Sequence, residues 1–227
     1  MFFDKLERVI LVTGHYGSGK TNFSVNLALD LQKAGRRVAV CDLDIVNPYF
    51  RTADFTGLLQ QRGIETIMPP FANTNLDIPV LGAGVSAALG DREKTVIVDV
   101  GGDDAGAIAL GRYAPEIAKR PYSMLYVHNH YRFLENGAEE TKEILDGING
   151  AARLTCGFLV NNSNLGEETS AAVIQRALGP AWELSALCAL PLLCTTAPRA
   201  LCGELQSVED IYPIDLYVDK PWNRQHL

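Results

Sequence analysis

The sequence predicts an α/β domain, a three-layer α/β/α arrangement around a mostly parallel sheet. Three observations predict it. Five short apolar runs recur along the chain, each bounded by turn residues. The runs are apolar at successive rather than alternate positions, the pattern of strands buried on both faces, which parallel sheets require. Stretches of helical length separate most of them, and strands alternating with helices form crossovers that cover both faces of a sheet. At 227 residues the chain suits one core, because a unit of this size buries roughly 70% of its unfolded surface. Residues 1–227 are therefore read as a single domain.

Residues 8–13 (RVILVT) form the first strand. A helix follows over 20–34, with Phe23, Leu27 and Leu31 at four-residue spacing and Gly35 closing it. Residues 37–41 (RVAVC) are the second strand and lead into the acidic turn Asp42-Leu43-Asp44. The third, 95–100 (TVIVDV), ends at Gly101-Gly102. A helix over 104–119, a strand over 123–127 (SMLYV), a helix over 133–148, a strand over 154–160 (LTCGFLV) and a helix over 167–178 complete the alternation. A weaker sixth strand is placed near 187–190 and a short edge strand near 214–218. Between 47 and 90, prolines at 48, 69, 70 and 79 interrupt every periodic stretch, so a short helix and loops are expected there. The last nine residues, DKPWNRQHL, read as a surface tail. No internal repeat and no linker-like tract divides the chain.

With 20 Lys+Arg against 27 Asp+Glu the net charge is −7, so there is no global positive field for nucleic acid or an anionic membrane, and no general nucleic-acid binding is expected. The longest mostly apolar stretch, 186–194, contains a proline and falls far short of the ~20 residues of a membrane span. The opening MFFDKLERVI does not read as a signal peptide, so a cytoplasmic location is expected. Cys41, Cys156, Cys188, Cys194 and Cys202 are an odd number without C-x-x-C spacing. Reduced, mostly buried thiols are expected rather than disulfides or a zinc site, although the last three cluster in sequence.

Gly14-His15-Tyr16-Gly17-Ser18-Gly19-Lys20-Thr21 fits G-x-x-x-x-G-K-[ST] between a buried strand and a helix, where backbone N–H groups and a helix N-terminus can cradle phosphates. These residues, with Asn22 next in the helix, are the expected nucleotide-binding set. Lys20 is expected to reach the β- and γ-phosphates and Thr21 to ligate magnesium. Asp99 interrupts the third apolar strand, where an unpaired carboxylate is costly to bury; it is read as holding magnesium or a magnesium-bound water. Asp42 and Asp44 alternate at the end of the second strand and point to the same side. Asp44 is expected to orient the attacking water or acceptor, and Asp42 to support the metal with Thr21 and Asp99. Solvated turn aspartates are the alternative. Lys20 and Asp44 are thus the expected catalytic pair.

The fifth strand ends Val160-Asn161-Asn162-Ser163-Asn164. An N-K-x-D guanine reader needs an aspartate at its fourth position, and here that position is Asn164. ATP is expected over GTP, with Asn161 or Asn162 reading adenine through its amide; capping of the next helix or satisfying the loop backbone is the competing role. His128 and His130 share a face after the fourth strand, a pattern too sparse for a metal site and open to substrate contact, partner contact or loop hydrogen bonding. Tyr49, Phe50 and Arg51 suit either a partner surface or internal packing.

Together, GHYGSGKT, CDLDIVNPYFR and VIVDVGG resemble the MinD/ParA branch of P-loop nucleotide-binding proteins, which includes dethiobiotin synthetase and the cobyrinate amidases. The resemblance spans about residues 9–165. It implies that Asp42 and Asp44 lie in a first switch loop, with Asp44 positioning water, and that Gly101-Gly102 opens a second. Family members often carry a lysine directly after the first loop glycine, which reaches a partner's phosphates across a nucleotide-sandwich dimer. His15 stands there instead, and a neutral imidazole does not replace a permanent cation; Arg51 or Arg132 could substitute. The implied protein is a magnesium-dependent ATPase with switch loops at 42–51 and 101–106, acting on a protein partner and able to form a homodimer. A small-molecule ligase that uses ATP to activate a carboxylate is the alternative, with Pro69-Pro70, His128 and His130 shaping its pocket. Nucleotide binding without turnover is a third reading.

Overall fold

The apolar runs become strands whose faces are covered on both sides. A computed structural model describes residues 2–44, 52–68, 78–102, 104–132 and 137–217. Its strands are β1 (Val9–Thr13), β2 (Arg37–Leu43), β3 (Glu65–Ile67), β4 (Lys94–Val100), β5 (Tyr122–His128), β6 (Phe158–Asn161), β7 (Leu192–Pro198) and β8 (Ile211–Ile214). They form one eight-stranded sheet in the order β3-β2-β4-β1-β5-β6-β7-β8, every pair parallel. The α/β class with a parallel sheet is therefore as expected. All strands run the same way, so the ends of β1, β2, β4, β5 and β6 open on one edge, where ligands collect in open α/β sheets.

The helices are α1 (Lys20–Lys33), α2 (Thr56–Gln61), α3 (Ile78–Gly90), α4 (Asp104–Gly111), α5 (Ala114–Ile117), α6 (Gly137–Ala152) and α7 (Ala171–Cys188). Alternate strand residues feed two cores. Val9, Leu11, Val98 and Tyr126 pack with residues of α3, α4, α5, α6 and α7 on one face. Ile10, Val12, Ile97 and Val127 pack with α1 and Tyr212 of β8 on the other. Phe23, Leu27 and Leu31 are fully buried in this second core, each contributing about 1.5–3 kcal/mol, and this fixes the start of α1 against the end of β1.

Several boundaries differ from expectation for identifiable reasons. β2 extends through Leu43, so Asp42 is a buried strand residue rather than part of a solvated turn. β3 was not expected; three residues at the sheet edge leave no periodic signal. α3 spans 13 residues across a region expected to hold a short helix and loops, and Pro79 falls in its first turn, where the missing N–H costs nothing. The helix expected over 104–119 is divided into α4 and α5, with Pro115 starting the second. α7 continues past Pro180 to Cys188 and ends at Ala189 in the left-handed conformation. Of the strand expected at 187–190, residues 187–188 end α7 and 189–190 turn away from it; the strand begins instead at Leu192, while the edge strand expected at 214–218 lies at 211–214. The expectations placed on Tyr49, Phe50, Arg51, Pro69 and Pro70 and on the C-terminal tail fall outside the described residues.

All five cysteines are free thiols. Burial pushes Cys41 up to about 12. Cys188, Cys194 and Cys202 belong to three different apolar clusters and do not meet as a site. No helix among the described residues is long and apolar enough to cross a membrane.

Candidate functional site

The loop 14–19 leaves the central strand and turns directly into α1. Gly19 caps that helix at φ 89, and a Cβ there would lie 2.2 Å from Asn162 Nδ2. The close approach has a cause: the Asn162 amide donates to the Ser18 carbonyl at 2.7 Å, while its oxygen accepts from the Thr196 hydroxyl. Asn162 therefore ties the end of β6 to the loop. Gly19→Ala should cost about 2 kcal/mol through left-handed strain and displacement of Asn162. In a thermal melt that loss is a fall of about 4–8 °C in Tm; an unchanged Tm would contradict the clamp.

Lys20 is only 7% exposed, and its Nζ donates to the His15 carbonyl at 3.0 Å. The Gly102 backbone closes over the same place, since a Cβ on it would lie 2.6 Å from Lys20 Nζ and 2.6 Å from Tyr16 N. Gly102, after β4, is thus in contact with the loop.

Asp99 is the hub beneath. It is 1% exposed and accepts from the Thr21 hydroxyl at 2.9 Å, the Thr52 hydroxyl at 2.7 Å and the Ser24 hydroxyl at 3.2 Å. Burial drives its carboxyl above the ordinary carboxylate range, with Asp44 adding to the rise; Thr52, Lys20 and Thr21 oppose it. Asp42 stands opposite Asp99 in the β2–β4 register and is fully buried. Its Oδ1 accepts from the Asp44 N–H at 2.9 Å, which orients the backbone at the strand end.

These donors suit a hard cation. They are oxygens, and the Thr21 hydroxyl that donates to Asp99 keeps a lone pair to present outward. Thr21, with Asp99 and Asp42 behind it, would hold magnesium. Among the described residues no three His, Cys, Asp or Glu side chains converge on one point, which leaves phosphate and water oxygens to complete a magnesium shell.

Gly14 to Thr21, Asp42, Asp44, Asp99 and Asn162 therefore gather at one edge. Two other side chains do not. The Asn22 amide is taken up by Asp215 and Tyr217, leaving its N–H in the first helical turn to face a ligand. The Asn161 amide is fully buried between Thr195 and Ser163. Thr52 and Ser24 were not anticipated. Ser24 lies three residues after Thr21 on one helix face, a readable spacing; Thr52 had no signal beyond following the acidic segment.

Two further groups border the loop. Arg132 is exposed, and its Nε lies 3.9 Å from the position of a Cβ on Gly17. His128 and His130 line a separate pocket between β5, α6 and α7.

The family model for the CobQ/CobB/MinD/ParA nucleotide-binding domain matches residues 9–178. Similar solved structures include chloroplast FtsY from Physcomitrella patens, at 17% identity and TM-score 0.58 over 82% of this chain and 57% of that one. Cell division protein FtsY from Thermotoga maritima is 20% identical at TM-score 0.57, covering 91% of this chain and 65% of that one. The signal recognition particle 54 kDa protein from Aeropyrum pernix, in complex with GDP, is 16% identical at TM-score 0.54, covering 82% and 40%. The chain spans less than two thirds of each of these proteins, and at such identities the likeness is one of fold. No curated protein matches the sequence.

Proposed function

This chain belongs to the CobQ/CobB/MinD/ParA nucleotide-binding family, and on that premise we propose that it is a magnesium-dependent ATPase whose bound nucleotide controls its association with a protein partner. The observation that carries the proposal is the buried Asp99 carboxylate, held by Thr21 and Thr52 hydroxyls directly beneath the loop. Thr21 would be drawn toward the cation, and Thr52 follows directly on the 42–51 segment. Loss or gain of that cation would therefore be felt in the segment expected to switch.

The residues divide the chemistry. Lys20 would exchange the His15 carbonyl for β- and γ-phosphate oxygens, and the N–H groups of the loop and first helical turn would face the same charge. Magnesium, when bound, would supply charge neutralisation between those oxygens. Asp44 would orient the attacking water, so that catalysis rests on positioning. ATP is proposed over GTP because Asn164 stands where a guanine reader carries aspartate. Asn162 uses one amide N–H on Ser18 and one lone pair on Thr196, which leaves a second N–H and lone pair for an adenine while it anchors the loop. Tyr16 in the phosphate loop, against Gly102, and Ile108 on α4, 57% and 55% exposed, are apolar groups beside the second switch region and suit a partner surface.

Arg132 supports a cation supplied in cis. It lies against Gly17 without a hydrogen-bond or ion-pair partner for its guanidinium among the described residues, while His15 occupies the position of the family's trans lysine. Arg132→Ala should lower kcat by about 10- to 100-fold while nucleotide affinity stays within about threefold. An unchanged kcat would remove Arg132 from the reaction.

A ligase that activates a carboxylate is less well supported. Among the described residues, the pocket at His128 and His130 carries Glu139 and Glu183 and no Lys or Arg, a lining that repels a carboxylate. Solution mass of Asp44→Ala with Mg-ATP and then Mg-ADP tests the switch. A dimer with ATP alone is expected; a mass indifferent to nucleotide would contradict a homodimeric switch.

A further inference from the structure

β5 and β6 pair in parallel as far as His128 and Asn161, and the Asn162 N–H still donates to the His128 carbonyl at 2.8 Å. There the ladder ends, and the side chain of Asn129, only 2% exposed, continues the pairing. Its Nδ2 donates to the Asn164 carbonyl at 3.2 Å and its Oδ1 accepts from the Asn164 N–H at 3.3 Å. The same Oδ1 accepts from the Tyr131 N–H at 3.1 Å, and the Asn129 carbonyl accepts from the Arg132 N–H at 3.0 Å. Ser163 Oγ accepts from the His130 N–H at 3.0 Å. Every N–H group of the turn His130–Arg132 is thus bound, those of Tyr131 and Arg132 by Asn129. The turn and the phosphate loop also share one frame, since the Asn164 amide donates to the Asn162 carbonyl at 2.7 Å and Asn162 holds Ser18.

We propose that Asn129 is a positioning residue for ATP hydrolysis: it fixes the backbone from which Arg132 reaches over Gly17, and it acts without touching the nucleotide. The inference rests on the reading of Arg132 as the cation supplied in cis.

The chemistry of the amide suits the place. An amide side chain serves Asn164 in both directions while its oxygen also takes the Tyr131 N–H; aspartate would lose the donor, and alanine would lose the side-chain bonds altogether. Arg132 itself is exposed and its Nε stands 3.9 Å from the position of a Cβ on Gly17, so its reach depends on where its own backbone is held. Ordering backbone costs free energy. On a turn pinned this way that ordering is complete before ATP arrives, and only the arginine side chain has to settle as charge develops on the phosphates. A misplacement of about 1 Å in such a group is enough to slow a reaction on the order of 100-fold. A second anchor lies on the same turn: the Tyr131 hydroxyl donates to the Val173 carbonyl of α7 at 2.5 Å.

A double-mutant cycle on ATP hydrolysis by the full chain provides the test. Asn129→Ala should lower kcat about tenfold while KM for Mg-ATP stays within about twofold. In an Arg132→Ala background the same change should lower kcat by less than about twofold, because no guanidinium is left to misplace. A residue acting only through stability would slow both backgrounds alike. Tyr131→Phe removes the second anchor and keeps the half-buried ring; it should lower kcat about threefold, again only with Arg132 present, and it carries the test should Asn129→Ala not fold. Equal losses in the two backgrounds, a loss confined to KM, or a kcat that falls in Arg132→Ala and in neither Asn129→Ala nor Tyr131→Phe would overturn the positioning role alone. A wild type without ATP turnover, or a kcat unchanged by Arg132→Ala, would overturn the reading of Arg132 and this inference with it.

Discussion

Replacing Lys20 with alanine is expected to remove measurable nucleotide binding while leaving a cooperatively folded protein. The ammonium is nearly buried and held in the loop by a main-chain carbonyl. It is therefore placed before any ligand arrives and loses little freedom on binding, which raises the value of each contact it makes. A hydrogen bond to a charged group contributes about 1.5–3 kcal/mol, so two phosphate contacts correspond to a loss of affinity of about 100-fold or more. The fold should survive because the side chain packs at the sheet edge rather than in either apolar core. Titration with a fluorescent ATP analogue, alongside a thermal melt, checks both halves. Affinity within about threefold of wild type would show that the loop does not bind phosphate as described.

Asp44→Ala is expected to do the reverse, keeping nucleotide affinity and losing hydrolysis. Asp44 stands at the end of β2, with its N–H fixed by Asp42 and its charge felt at Asp99. Phosphate binding is assigned to the loop N–H groups and Lys20, so affinity should be retained without Asp44. Orientation and proton acceptance by a placed carboxylate contribute about 10²- to 10⁴-fold. A single-turnover rate lower by that factor, at unchanged affinity, is the expected result. A normal rate would move the water-orienting role elsewhere, and equal loss of affinity and rate would make Asp44 part of the binding machinery.

What was legible in the sequence were features in which one residue violates its surroundings or a spacing has few causes. Asp99 stands out because a carboxylate in an apolar strand requires partners, and the loop stands out because its glycines and lysine recur at a mechanistic spacing. The partners themselves were less legible. Thr52 reaches Asp99 across 47 residues of chain, a contact made by tertiary folding and invisible to local pattern. Asn162 was legible as an amide at the right strand end, but its bond to Ser18 depends on how closely β6 approaches the loop. The fold shows the same division. β1, β2 and β4 carried continuous apolar runs, whereas α7 was shortened in the reading by Gly179-Pro180, which packing tolerates inside the helix. β3 was missed because a three-residue edge strand has too few positions to show a period.

Calorimetric titration of ATP into the wild-type chain, with magnesium and then with the metal chelated, tests most directly whether Lys20, Thr21 and Asp99 form a magnesium-nucleotide site. One ATP per chain is expected, with affinity falling at least about tenfold when magnesium is removed, the equivalent of about 1.4 kcal/mol from the ion's contacts. Absence of binding, or binding indifferent to magnesium, would contradict a cation site at Thr21 and Asp99.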